Sequence, residues 1–320
     1  MMDQRTRRTW NWKSPFMAGL FLLCTACSGG EPAGSSGAAT SDTSPPIDRV
    51  PAMDVEADRY TGDFVVGTQA FTFSRFSALE AIEKSVAAGA RVIELYPGQP
   101  LSPESDERVG PEMSSEAFER LKGALDAEDL QPVNFGVVRF QSEEQTRSVF
   151  EFARKLGVQA VTTELHTRED VEAVTPFVEE YDIRVAIHNH PKNPEDPSYR
   201  IWNPEYVASI LKGADPRIGV SADTGHWVRS ELNPVEALQI LEGRIVSLHL
   251  KDVNARNREG QDVIYGTGLS DIPAILSELE RQSFGGHISI EYESNWLESV
   301  PDVAQNIGFI RGWSEGRVHP

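Results

Sequence analysis

From about residue 60 onward the chain repeats one motif eight times: a short apolar run rich in β-forming residues, then a longer amphipathic segment. That alternation is the pattern of a parallel sheet with crossover helices. The runs fall at 64–69, 91–95, 132–138, 160–164, 184–188, 218–223, 245–249 and 288–291. Eight of them predict a closed barrel, a single (β/α)8 domain of the α/β class over residues 58–320. The segments between the runs carry helix signals. Ser77-Ala-Leu-Glu80 is a capping-box pattern, and Leu79, Ile82 and Val86 follow at helical spacing. Ser114 or Ser115 opens the next helix, Asp271 with Pro273 in the first turn opens the seventh, and Gly89 and Gly157 follow helix ends.

The residues ahead of the barrel read as an address. Arg5, Arg7, Arg8 and Lys13 form a basic region before the apolar run 16–23, which together predict a signal peptide over 1–27, too short for a membrane-spanning helix. Leu23-Cys-Thr-Ala-Cys27-Ser28 resembles a bacterial lipoprotein box, in which cleavage precedes a cysteine that becomes lipid-modified. Cys27 is that cysteine, although Cys24 stands where the box has an aliphatic residue; a plain secretory leader cut nearby is the alternative. Residues 28–57, rich in Gly, Ser, Ala, Pro and Thr, have too little apolar surface to fold and read as a disordered tether. The expected location is exported, on the periplasmic face of a bacterial membrane.

Charge and cysteine content narrow the chemistry. A formal net charge of −19 excludes a nucleic-acid backbone as partner, because binding phosphates needs a basic surface. Both cysteines, Cys24 and Cys27, lie in the leader, so any metal in the body is held by histidine and carboxylate.

The placement of polar residues is the functional signal. The fourth to eighth runs end on Glu164, His188, Asp223, His249 and Glu291, and in a barrel the carboxyl ends of the strands converge on the face that carries the active site. Each has a plainer reading when taken alone. Asp223 can cap the following helix, with His226 decorating the turn. His249 can be a satisfied core histidine. Of Glu291 and Glu293, one is structural. His188 and His190 alternate onto one side of their strand, with His188 toward the barrel mouth and His190 able to hold the loop. Jointly, imidazole and carboxylate make a site for one divalent ion, Mn²⁺, Co²⁺, Zn²⁺, Fe²⁺ or Mg²⁺, and the residues do not choose among them.

With these residues in place, the chain resembles the xylose isomerase-like TIM barrel superfamily, often labelled sugar phosphate isomerase/epimerase, on the stretches Ile187-His-Asn-His190, Asp223-Thr-Gly-His226, His249-Leu-Lys-Asp252, Gly266-Thr-Gly268 and Ile290-Glu-Tyr-Glu293. The resemblance implies metal ligands at the ends of the last four strands, usually Glu, Asp, His and Glu. Asp223, His249 and Glu291 match the last three, and His226 matches a histidine that contacts substrate or a second metal. His188 stands where a glutamate is expected, so either Glu164 from the neighbouring strand completes the shell, or His188 serves as ligand or proton carrier. In ketose 3-epimerases of the family the two metal-bound glutamates are the paired acid and base, so this departure widens the expected chemistry to elimination.

The expected function is a metal-dependent isomerase, epimerase, dehydratase or lyase that abstracts a proton beside the carbonyl of a sugar or keto-sugar. Glu291, Glu164, His188 and Lys251 are the candidate catalytic groups, Lys251 polarising a substrate oxygen or pairing with Asp252 or a neighbouring carboxylate. His226, Arg229, His190 and Trp227 are candidate substrate contacts, with Arg229 alternatively pinning its loop. Trp202, Tyr96 and Trp296 also follow strands and are of the kind that stacks on sugar rings or packs. Glu94 is an inward candidate, structural or substrate-orienting. A lipid-anchored carbohydrate-binding protein is the competing class. An endonuclease IV-like phosphodiesterase needs histidines on early strands, and the first histidine here is His166.

Overall fold

The computed structural model describes residues 49–316. The leader, Cys27 and the tether up to residue 48 lie outside the described residues. Eight strands form the barrel: β1 (Phe64–Gln69), β2 (Val92–Leu95), β3 (Gln131–Val138), β4 (Ala160–Thr163), β5 (Arg184–His188), β6 (Ile218–Asp223), β7 (Ile245–Leu250) and β8 (His287–Ile290). All neighbours pair in parallel, and β8 pairs with both β7 and β1, which closes the sheet. The expected bounds of β1, β5 and β6 match, and the rest shift by one residue at one or both ends.

Nine α-helices lie among the described residues: α1 (Ala78–Ala87), α2 (Ser115–Ala127), α3 (Glu143–Leu156), α4 (Arg168–Tyr181), α5 (Pro204–Leu211), α6 (Thr224–Arg229), α7 (Pro234–Ile240), α8 (Ile272–Arg281) and α9 (Val300–Glu315). Their starts follow from side-chain chemistry. Ser77 and Glu80 satisfy each other's backbone donors in a full capping box, Ser114 caps α2, and Asp271 caps α8. Gly157 ends α3 in the left-handed conformation, at φ 82°. The apolar faces of these helices and the outer faces of the strands merge into one large core.

Residues 49–57, expected as the end of the tether, belong instead to the folded body. Val50 N donates to Gly243 O at 2.8 Å and Met53 N to Gly285 O at 2.7 Å, both in the loops that lead into β7 and β8. The Arg184 guanidinium donates to the carbonyls of Pro51 and Ala52. Met53 and Val55 pack on Val65, Val92 and Val133, while Val50 packs on Ala160, Ala186 and Val246. These are residues near the amino ends of their strands, so the segment lies under the barrel, at the end opposite the site. Val50, Met53 and Val55 supply the apolar anchors of this segment, which a composition taken over 28–57 conceals.

Candidate active site

β2 and β7 are not neighbours in the sheet, so a contact between them has to cross the barrel interior. Glu94 of β2 makes that contact: its Oε2 lies 3.1 Å from His249 Nε2 on β7 and accepts from Ser289 Oγ on β8 at 2.8 Å. His287 Nε2 stands 3.6 Å from the same oxygen. Burial opposes ionisation of Glu94, but the two imidazoles outweigh it and hold the carboxyl below the usual carboxylate range. Glu94 therefore fixes the proton of His249 on Nε2 and leaves Nδ1 turned toward the mouth, the orienting arrangement common to metal-binding histidines.

At Nδ1 the surroundings are anionic. Glu291 Oε2 lies 3.2 Å away, though not aligned for a hydrogen bond. Beside it, the fully buried Lys251 ammonium meets three carboxylates: Asp223 Oδ2 at 3.1 Å, Glu291 Oε2 at 2.7 Å and Glu293 Oε2 at 2.7 Å. Burial works against charge on both His249 and Lys251, yet the surrounding carboxylates outweigh it and raise both well above their ordinary values. Burial likewise works against Glu291, but Lys251 and His249 hold it well below the ordinary range. Lys251 does not pair with Asp252. Strand alternation sends residue 252 the other way, where Asp252 accepts from the amides of Gly266, Gly268 and Ser270. Gly268 is required there, since a Cβ would sit 2.3 Å from Asp252 Oδ1.

His188, Asp223 and His249 each offer a donor atom, all within 4.8 Å of one another. His188 Nδ1, Asp223 Oδ2 and His249 Nδ1 are buried with no hydrogen-bond partner. Burial, and then the neighbouring rings, push the His188 pKa well down and keep the ring neutral. Buried nitrogens of two imidazoles and a carboxylate, with a second carboxylate adjoining, fit a divalent ion, which would take the place of the Nδ1 proton of His249. Asp223 also caps α6, its Oδ1 accepting from His226 N at 2.7 Å. Asn189 ties β5 to this point by exchanging hydrogen bonds with both backbone groups of Asp223. The capping reading of Asp223 thus takes up Oδ1 and leaves Oδ2 facing the cluster.

Because α6 starts directly on Asp223, its residues wind back onto the barrel. One expectation is overturned as a result, one alternative is decided and a third residue is placed. Trp227 is 1% exposed and packs in the core, so its ring has no face for a sugar. Arg229 is buried and donates to Gly260 O, Asp262 and His226 Nδ1, so it pins the loop and the histidine. His226 Nε2 stands 3.4 Å from Asp223 Oδ2, next to the donor cluster. Gly225 lets α6 lie this close, because a Cβ there would come within 2.7 Å of the Lys251 side chain.

Glu164 does not join the donor cluster of Asp223 and His249. Its Oε1 binds His190 Nδ1 at 2.9 Å and accepts from Tyr199 Oη at 2.9 Å. Glu164, His190 and Tyr199 line a cavity of about 770 Å³ together with His166, Arg139 and Arg258. Trp202 lies outside it and meets Lys192, while Tyr96 and Trp296 sit edge-on to Phe71 on loops after β2, β8 and β1. Burial lowers the His190 pKa, but Glu164 outweighs it and raises the value above 6.5. A raised folded-state value means the pair adds stability fully below the unfolded pKa, and that contribution is lost as pH rises through the folded one. Ring-resonance NMR titration is expected to place the His190 midpoint above 6.5 and to lower it in Glu164→Gln; an unmoved midpoint would refute the pairing.

The model of the family described as Xylose isomerase-like TIM barrel matches residues 82–313. The chain belongs to this family. Among solved structures, an uncharacterized protein from Parabacteroides distasonis is 31% identical with a TM-score of 0.63, covering 78% of this chain and 98% of that one. D-allulose 3-epimerase from Methylomonas sp. shares the fold at 16% identity and a TM-score of 0.59, over 78% of this chain and 97% of that one. A 3-oxo-isoapionate decarboxylase of Pectobacterium atrosepticum is 22% identical over 142 residues, 42% of this chain. That match takes in 48% of the decarboxylase, so the chain spans about half the length of the curated relative.

Within this xylose isomerase-like barrel, the partner of Glu94 and the residue Asp262 escaped sequence reasoning. Glu94 carried a signal, a lone acid inside the apolar run Val-Ile-Glu-Leu, which has to be paired once buried. Nothing local names His249 as the partner. Asp262, which accepts from Arg229 and from Glu293 N, sits in a two-residue strand (Asp262–Val263) paired with Asp252–Val253 and has no pattern of its own.

Proposed function

We propose that the chain is a metal-assisted sugar-modifying enzyme that removes a proton beside the carbonyl of a sugar or keto-sugar, as an isomerase or epimerase, or as a dehydratase or lyase. The observation that carries the reading is the set of buried donor atoms on His188, Asp223 and His249, gathered within 4.8 Å at the barrel mouth with Glu291 adjoining. A divalent ion held by His188, Asp223, His249 and Glu291 would stabilise the enolate or enediolate that proton removal creates. The epimerase among the structural neighbours and the decarboxylase relative are in keeping with chemistry next to a sugar carbonyl.

The chain's own groups divide the remaining work. Glu291 is held ionised by Lys251 and His249, the state a general base needs. Lys251 brings an ammonium to the rim of the same oxygens, where it can steady a substrate oxygen that becomes negative. Glu164 and His190, bonded to each other on the cavity wall, can position substrate hydroxyls or carry a proton. The reading predicts about one divalent ion per chain by elemental analysis, and exchange of a substrate C–H with solvent deuterium when the protein meets a panel of sugars and 3-keto-sugars. If ion-loaded protein exchanges no proton and alters no sugar across the panel, a carbohydrate-binding role replaces this one.

For location we propose export and lipid anchoring through Cys27, on the strength of the basic region, the short apolar run and the residues around that cysteine. Cys27→Ala is expected to move the protein from the membrane fraction to the soluble one; unchanged fractionation would refute the anchor.

A further inference from the structure

We infer that the metal shell of this centre is nitrogen-rich, His188 and His249 with Asp223 and Glu291, and that it selects a late first-row ion such as Zn²⁺, Co²⁺ or Ni²⁺ over Mg²⁺. The inference rests on the reading above that the site holds a metal, and it adds which donor atoms hold it and which class of ion they take.

Four imidazoles crowd the mouth. The His188 ring centroid lies 4.7 Å from that of His249, 4.8 Å from that of His190 and 5.8 Å from that of His226. Two overlapping sets of donor atoms result, His188 with Asp223 and His249, and His188 with His190 and His226. Proton placement decides between them. A guanidinium only donates, so the contact of 3.2 Å from Arg229 Nη1 makes His226 Nδ1 an acceptor. The proton of a neutral His226 ring then stands on Nε2, the nitrogen 3.4 Å from Asp223 Oδ2. A protonated ring nitrogen cannot bind a metal, so Arg229 sets His226 as a hydrogen-bond donor beside the shell. His249 is set the opposite way, with Nε2 on Glu94 and Nδ1 facing the donor cluster and Glu291 Oε2 at 3.2 Å. His188 Nδ1 is buried with nothing bonded to it.

The shell is therefore two imidazole nitrogens and the Asp223 carboxylate, completed by the Glu291 carboxylate that adjoins His249 Nδ1 at 3.2 Å. Imidazole suits Zn, Cu, Fe and Ni ions, and a given nitrogen–oxygen site gains affinity along the row from Mn²⁺ toward Cu²⁺. Mg²⁺ requires near-octahedral oxygen donors and keeps several waters. Lys251 adds to the bias. Its ammonium, 2.7 Å from Glu291 Oε2 and 3.1 Å from Asp223 Oδ2, offsets the negative field on which a hard ion depends, while leaving the imidazole donors untouched.

Metal-stripped full-length protein titrated with Zn²⁺, Co²⁺, Ni²⁺, Mn²⁺ and Mg²⁺ tests this by calorimetry, by melting temperature and by the visible absorption of bound Co²⁺. Zn²⁺ and Co²⁺ are expected to bind at least ~100-fold more tightly than Mg²⁺. His188→Glu is expected to narrow that gap by at least ~10-fold, and His188→Gln to weaken Co²⁺ by ~10-fold or more. His226→Gln is expected to leave Co²⁺ affinity within about threefold, because its ring is not in the shell. Mg²⁺ binding as tightly as Co²⁺, or His226→Gln costing as much as His188→Gln, overturns the inference. Should His188→Glu fail to fold, the wild-type ratio and His188→Gln decide. Failure of every ion to bind overturns the proposed function as well, whereas a preference for Mg²⁺ overturns only this inference.

Discussion

Glu291→Gln is expected to slow exchange of the substrate proton with solvent by about 10²–10⁴-fold at saturating metal, the range for loss of a positioned general base. The amide fills the space of the carboxylate and can still face Lys251 and His249, but it cannot accept a proton. Glu293 is the internal control. It also touches Lys251, at 2.7 Å, but is more exposed, and burial together with the nearby Glu291 charge outweighs Lys251 and raises its pKa, where that of Glu291 is lowered. Glu293→Gln is therefore expected to cost far less. Exchange by Glu291→Gln above a tenth of the wild-type rate would remove Glu291 from the base role. Equal losses in the two variants would move the effect to Lys251, their shared partner.

Lys251→Met is expected to destabilise metal-free protein by about 3–5 kcal/mol, the usual cost of leaving buried charges without their partner. Lys251 is 1% exposed, and its ammonium stands among Asp223, Glu291 and Glu293, so its removal strands three carboxylates in a low-dielectric pocket. For a body of this size that corresponds to a melting temperature lower by about 10 °C. The sign with pH follows from the stranded carboxylates. Their pKa values rise in the variant's folded state, so the loss is greatest at neutral pH and shrinks as pH falls and they take up protons. A divalent ion is expected to restore part of the stability, because it supplies the missing positive charge to two of the three groups. A loss below about 1 kcal/mol in chemical denaturation would show that the cluster relaxes or hydrates freely, contrary to its burial.

Much of the site was legible before the fold. His188, Asp223, His249 and Glu291 stand at the ends of apolar runs, and the barrel brings strand ends together, so local pattern and global topology agreed. Glu164 was legible as an inward acid but not as the partner of His190. The two lie 26 residues apart, and only the adjacency of β4 and β5 makes them meet. Arg229 and Trp227 looked like loop residues because Asp223-Thr-Gly-His226 reads equally as a turn. The cap made by Asp223 Oδ1 turns it into α6, which carries both side chains inward. Residues 49–57 were hidden by composition, since a few anchors, Val50, Met53 and Val55, suffice to order a segment that is otherwise polar and poor in large apolar side chains.

The sequence by itself determined the barrel and the face that bears the chemistry, because strand period, helix caps and apolar run length are local properties written into consecutive residues. Only the tertiary structure decided how that chemistry is wired. Glu94 reaching across the barrel to His249, Lys251 shared among three carboxylates and Arg229 setting the proton of His226 are contacts between residues as far as 155 positions apart. Proton placement and charge balance depend on distances across the barrel, and those exist only once β8 has closed on β1.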